Sequence, residues 1–131
     1  MKQTDVQRIM RIKNYCEAIA RAIERFGDSI EAFDADDDYY NAVSMCMYQI
    51  GEISSGLTED FKVGDAKPVE WHKIRGMRNV FAHHYHTMNK QIIWKTAKED
   101  IPTLLGFCNS IIAVNKNAFT PPPRPKDFVN E

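Results

Sequence analysis

Thr4-Asp5-Val6-Gln7-Arg8-Ile9-Met10-Arg11-Ile12-Lys13-Asn14-Tyr15-Cys16-Glu17-Ala18-Ile19-Ala20-Arg21-Ala22-Ile23-Glu24-Arg25-Phe26-Gly27 carries the clearest periodic signal in the chain. Ile9, Ile12, Cys16, Ile19, Ile23 and Phe26 recur at alternating steps of three and four, the apolar stripe of one long amphipathic helix. Thr4 and Gln7 fit a capping box at its start, and Gly27 is a natural residue just past its end. Asp28 to Asp38, directly after it, holds six acids and no base, with Ile30 and Phe33 at helical spacing. It reads as a short helical connection whose acids complement the N-terminal dipole of the next helix. That second long helix runs from about Asp37 to Gly56. Tyr40, Val43, Met47, Ile50 and Leu57 form its inner face, widened by Cys46 and Ile53.

A polar stretch, Thr58 to Lys67, precedes Pro68, whose fixed φ suits a first helical turn. Trp71, Ile74, Met77, Phe81 and Tyr85 then trace a third helix. Asn89 is placed to cap a further segment, Gln91 to Ala97. Pro102, after a cap at Asp100, opens a last helix with Leu104, Leu105, Cys108, Ile111 and Ile112 inside. The expected architecture is all-α, an up-and-down four-helix bundle with extra short helices. It occupies residues 1–115, and a Pro-rich tail, 116–131, contains Pro121-Pro122-Pro123-Arg124-Pro125 and cannot be helical.

The 131 residues carry 17 Lys and Arg against 18 Asp and Glu, with 44% hydrophobic residues, enough for one folded domain. No apolar run approaches the roughly 20 residues of a membrane span, and Met1 to Met10 lacks the apolar core of a secretory signal. Cys16, Cys46 and Cys108 are scattered among apolar neighbours, which suits buried thiols in a reducing compartment. The expectation is a cytoplasmic protein. Near-neutral net charge conceals a local excess. Residues 71–98 contain Lys73, Arg75, Arg78, Lys90, Lys95 and Lys98, all four histidines and no acid, so the remainder holds 11 bases against 18 acids. Local potential of this kind attracts phosphates, or else offsets the acidic connection within the chain or across a dimer.

His83, His84 and His86 lack His-x3-His spacing and have no Asp, Glu or Cys close by, so no metal site is expected. Asn79 and His83, four apart, share a helical face, with Arg78 one position round. An arginine, an amide and an imidazole converging on one phosphate would suit cleavage of RNA without metal or cofactor. A base removes the 2′-hydroxyl proton, and a cation steadies the charge on phosphorus.

Met77-Arg78-Asn79-Val80-Phe81-Ala82-His83-His84-Tyr85 resembles the Arg-x4-His-x-Tyr signature of HepT-like proteins in the HEPN superfamily. Gln49-Ile50-Gly51-Glu52, Trp71-His72-Lys73-Ile74-Arg75-Gly76-Met77, Ile92-Ile93-Trp94 and Asp100-Ile101-Pro102-Thr103-Leu104 resemble its other landmarks in order. The resemblance spans roughly residues 5 to 110. It implies a homodimeric bundle and a metal-independent endoribonuclease, the toxin of a toxin–antitoxin pair, cutting tRNA or mRNA at a cleft shared by two motifs. It implies Arg78 and His83 as the catalytic pair, Asn79 in support, and Tyr85 as the residue to which a cognate nucleotidyltransferase antitoxin attaches AMP. Glu52 matches the family glutamate and could orient Arg78 or His83, or form an ordinary interhelix ion pair. His84 and His86 bracket Tyr85 and depart from the family pattern; they could raise affinity for RNA or AMP, share proton transfer, or be solvated neighbours. Lys73 and Arg75 could position phosphates or belong to a solvated face. The alternative is a non-catalytic, nucleotide-binding subunit of a nucleotidyltransferase complex.

Overall fold

A computed structural model describes residues 1–119, which form α-helices and turns without a strand. Most of the Pro-rich tail lies outside the described residues. The order is α1 (Gln3–Phe26), α2 (Ile30–Ala35), α3 (Asp37–Ser54), α4 (Glu59–Val63), α5 (Trp71–His84), α6 (Lys90–Lys95) and α7 (Ile101–Val114). No helix among the described residues is long and apolar enough to cross a membrane.

The stripe on α1 is buried through Val6, Ile9, Ile12, Cys16, Ile19 and Ala22, with Ile23 and Phe26 at its edge. Gly27 ends the helix at φ 120°, a conformation that favours glycine, and gives its N–H to the Ile23 carbonyl. The capping box does not form. The helix starts a residue earlier than Thr4, at Gln3, without a side-chain cap. Asp5 instead turns inward, accepting the Thr58 backbone N–H at 2.9 Å and its hydroxyl at 2.6 Å. That pairing satisfies a carboxylate which is only 1% exposed.

Ser29 caps α2 and Asp36 caps α3 through backbone N–H groups at 3.1 and 2.9 Å. Tyr39, fully buried, stacks on Phe26, meets Phe33 and Trp94 edge-on, and donates its hydroxyl to the Gly27 carbonyl at 3.0 Å. The α1–α2–α3 corner is thereby fixed to α6.

Further along the chain the structure departs from the sequence expectations again. The polar stretch after α3 contains α4, capped by Thr58 and anchored by buried Phe61. Pro68 does not open the third helix. Turns run to Val69, and α5 begins at Trp71, whose indole N–H bonds the Ala66 carbonyl at 3.0 Å. Asp100 is no cap either, because its backbone is helical. Chain 90–114 is continuous through a π turn, Thr96–Asp100, in which the Ile101 N–H reaches back to the Thr96 carbonyl. Pro102 has no N–H to continue an α ladder, and the wider turn absorbs that loss. Ile101, Leu104, Cys108 and Ile111 are buried, whereas Leu105 and Ile112 lie at the core edge.

Long helices α1, α3, α5 and α7 alternate in direction. Helix α3 packs against both α1 and α5, and α1 packs against α7. Lys98 beside Asp28 sets the α7 approach at the end of α1. As expected for apolar surroundings, Cys16 and Cys108 are buried and Cys46 half-buried. Burial raises all three thiol pKa values, that of Cys108 to about 12.

Candidate active site

Helix α5 lies at the margin of the bundle, touching α3 along one side and leaving Arg75, Arg78, Asn79, Val80, His83 and His84 exposed. Its closest approach to α3 is at Gly51. A Cβ there would stand 2.8 Å from the Arg78 Cβ and 2.9 Å from the Arg78 backbone nitrogen. Only glycine leaves room for the two helices to meet at the residue that carries the guanidinium.

One residue on, Glu52 accepts the Arg78 Nε–H in a short ion pair, and Asn79 Oδ1 accepts from Arg78 Nη1 at 3.2 Å. Glu52 raises the guanidinium pKa, with a smaller contribution from Tyr48. The Arg78 side chain remains 46% exposed: Glu52 holds one edge of the fork, Asn79 and Tyr48 lie against it, and part of it still faces solvent. Arg78 is paired with Glu52 but not buried, and His83 is exposed.

His83 sits in the last turn of α5, exposed, with no side-chain hydrogen bond among the described residues. Five helical positions separate it from Arg78, about 140° around the axis and about 7.5 Å along it. Asn79, about 100° round from Arg78 and about 40° from His83, lies on the His83 side of α5, and the Arg78 side chain reaches it through Nη1. The short turn Tyr85–Thr87 follows. Tyr85 is half-buried: Tyr40 packs on its ring at 5.4 Å between centroids and donates a hydroxyl to its carbonyl at 2.9 Å. The Tyr85 hydroxyl donates to Asn41 Oδ1. Burial, then the Asp37 charge, raises the phenol pKa, keeping the donor protonated. His86 meets the Tyr85 ring edge-on, and His84 is exposed.

Most of the basic excess is answered within the chain. Lys90 pairs with Asp37 and Lys98 with Asp28, both in or beside the acidic connection. Lys95 pairs with Glu99 and Lys73 with Glu70. Lys73 also lines a groove of about 510 Å³ between α5 and α7, away from Glu52 and Arg78. Of the six bases, Arg75 alone has no acid partner among the described residues. No group of three or more His, Cys, Asp or Glu side chains among the described residues could hold a metal ion.

The sequence reading overlooked a stripe on α3. Asn41, Ser44, Met45 and Tyr48 line a cleft of about 450 Å³ with Phe81 and Tyr85, and Glu52 continues the stripe. Their three- and four-residue spacing was present in the sequence, but polar side chains at that spacing ordinarily mark a solvated face.

Residues 12–111 match the family model described as "Ribonuclease HepT-like". A protein of Thermococcus cleftensis named "Probable ribonuclease HepT" is 35% identical over 99 residues, covering 72% of this chain and 89% of that relative. A protein of Methanocaldococcus jannaschii named "Putative RNase MJ1380" is 31% identical over 91 residues, covering 63% of this chain and 82% of that relative. No solved structure matches at a significant level. With its bundle and its Arg78–His83 helix inside the matched span, the chain belongs to the HepT-like ribonuclease family.

Proposed function

We propose that this protein is a metal-independent endoribonuclease, the toxin of a toxin–antitoxin pair, acting as a homodimer in the cytoplasm. The observation that carries the reading is the Arg78 guanidinium, aligned by Glu52 and Asn79 yet open to solvent on a helix whose His83 imidazole is unengaged. A fixed fork with a free edge is suited to a phosphate, and an unengaged imidazole is suited to proton transfer near neutral pH.

In the proposed reaction, the His83 imidazole of one subunit takes the 2′-hydroxyl proton of the RNA. The oxygen attacks the adjacent phosphorus, and Arg78 offsets the charge that develops. The P–O5′ bond breaks, the leaving oxygen takes a proton from an imidazolium, and a 2′,3′-cyclic phosphate remains. Because Arg78 and His83 diverge on one helix, a second copy of α5 across a two-fold axis would complete the pair. In this reading Glu52 positions Arg78, His84 assists proton transfer, and Arg75 guides the strand. Lys73 lies further off, where it would meet a longer RNA. Tyr85 is the proposed point at which a nucleotidyltransferase adds AMP, placing negative charge and bulk beside the phosphate site.

The test is RNA cleavage by the purified protein in EDTA, compared with Arg78→Ala and His83→Ala. Each variant should lose at least roughly a hundredfold in rate while remaining folded, the scale of a lost acid–base or charge-stabilising group. Cleavage that requires metal, or survives both substitutions, would refute the mechanism. Nucleotidyltransferase association without any cleavage would identify the non-catalytic subunit instead.

A further inference from the structure

The cleft between α3 and α5 shows more construction than Arg78 and His83 alone require. Its walls are the rings of Tyr48, Phe81 and Tyr85 and the thioether of Met45, which is 58% exposed. Aromatic and thioether surfaces at a half-open mouth receive flat, polarisable rings. Ser44 also lines it, only 1% exposed, and its Oγ, beside the Tyr40 hydroxyl, makes no hydrogen bond of ordinary geometry among the described residues. A buried hydroxyl so poorly partnered, in a helix that could hold alanine, calls for an explanation. At the rim, Asn41 spends its carbonyl oxygen on the Tyr85 hydroxyl, leaving both amide hydrogens to face a ligand. Tyr48 lies beside both the cleft and the Arg78 guanidinium, so the two are neighbours. The volume, about 450 Å³, is that of a small-ligand site.

We propose that this cleft is a nucleobase subsite, taking the base of the RNA nucleotide whose phosphate Arg78 holds, with Ser44 and Asn41 as its specificity-determining residues. The proposal rests on the ribonuclease reading for the origin of its ligand. Two amide hydrogens at the rim favour a base edge rich in carbonyl oxygen, uracil or guanine, over adenine. The ring stacks against Tyr48 and Tyr85, and the Ser44 hydroxyl gains a well-formed hydrogen bond.

The experiment titrates the isotopically labelled full chain with the four ribonucleoside 5′-monophosphates, following backbone amide shifts, and maps RNA cut sites in EDTA. Parent, Ser44→Ala and Ser44→Val are compared. Shifts should centre on Asn41, Ser44, Tyr48 and Tyr85, with UMP and GMP bound more tightly than AMP. Ser44→Ala should shrink that preference by roughly three- to tenfold, the worth of one hydrogen bond. Ser44→Val, which narrows the cleft, should weaken all four nucleotides, and both variants should broaden the sequence preference at the cut. Equal affinities, shifts elsewhere, or parental preferences in both variants would overturn the subsite. A parent that binds bases in the cleft but cuts no RNA would refute the ribonuclease reading and support the subsite. A parent that cuts with a preference indifferent to Ser44 would do the reverse.

Discussion

Gly51 governs where α3 and α5 meet, and through that contact where Arg78 stands. A methyl group there would fall 2.8 Å from the Arg78 Cβ and 3.1 Å from the Ile74 carbonyl, neither at the end of a flexible side chain. Gly51→Ala must push the helices apart, at a cost of about 1–3 kcal/mol read from urea midpoints. It should also move Arg78 away from Glu52, so RNA cleavage should fall in protein that is still fully folded. Parental stability would show that the close approach is not rigid. Glu52 could be placed in the sequence beside the glycine, and Arg78 in its motif, but not their contact. A pattern gives each helix its face, whereas the crossing point of two faces depends on a pairing that exists only after folding. Asn41 and Ser44 were hidden for a related reason. Each is unremarkable alone, and they acquire meaning from Tyr85 and Tyr48 across the cleft.

At the scale of elements, the corner of α1, α2 and α3 turns on the Tyr39 phenol. Burial, then the nearby Asp28 charge, moves its pKa up from the ordinary 10.0 to about 12. The folded state therefore holds the neutral form. Below pH 10 both states are neutral and the contribution is intact. Between pH 10 and 12 the unfolded chain loses this proton first, so stability falls as pH rises, by up to about 1.4 kcal/mol per unit for one group. Cys108, shifted from 9.0 to about 12, acts in the same direction and begins lower. Urea midpoints should decline above about pH 9, and Tyr39→Phe should decline less steeply while losing about 1 kcal/mol at neutral pH. An unchanged slope in that variant would remove Tyr39 from the account. The long helices were legible because α1, α3 and α5 repeat apolar residues over four or more turns. Helix α4 was not, since five residues are too few for a period to emerge. The π turn escaped notice because Pro102 after Asp100 reads equally well as a fresh helix start. Only the continuous backbone from Lys90 to Val114 separates the two readings.

For the whole molecule, the local charge excess has largely been used in folding. The acidic connection takes up Lys90 and Lys98, while Arg75 and the open edge of Arg78 remain on the exposed side of α5. The sequence showed the excess, but not which bases would be spent within the chain. What remains is a guanidinium and an imidazole carried on helix positions about 140° apart. If the reacting pair is formed across a two-fold axis, the guanidinium of one subunit serves the imidazole of the other. Arg78→Ala and His83→Ala homodimers would then each be inactive. A mixed dimer would retain one complete pair, Arg78 from the His83→Ala subunit and His83 from the Arg78→Ala subunit. Unfolding equal amounts together and refolding them should restore about a quarter of parental cleavage, since about half the dimers are mixed and each has one of two sites. Sedimentation should show a dimer in every sample. Silence in the refolded mixture, with dimers present, would mean that the pair acts within one subunit and that Arg78 must swing around its own helix to reach His83.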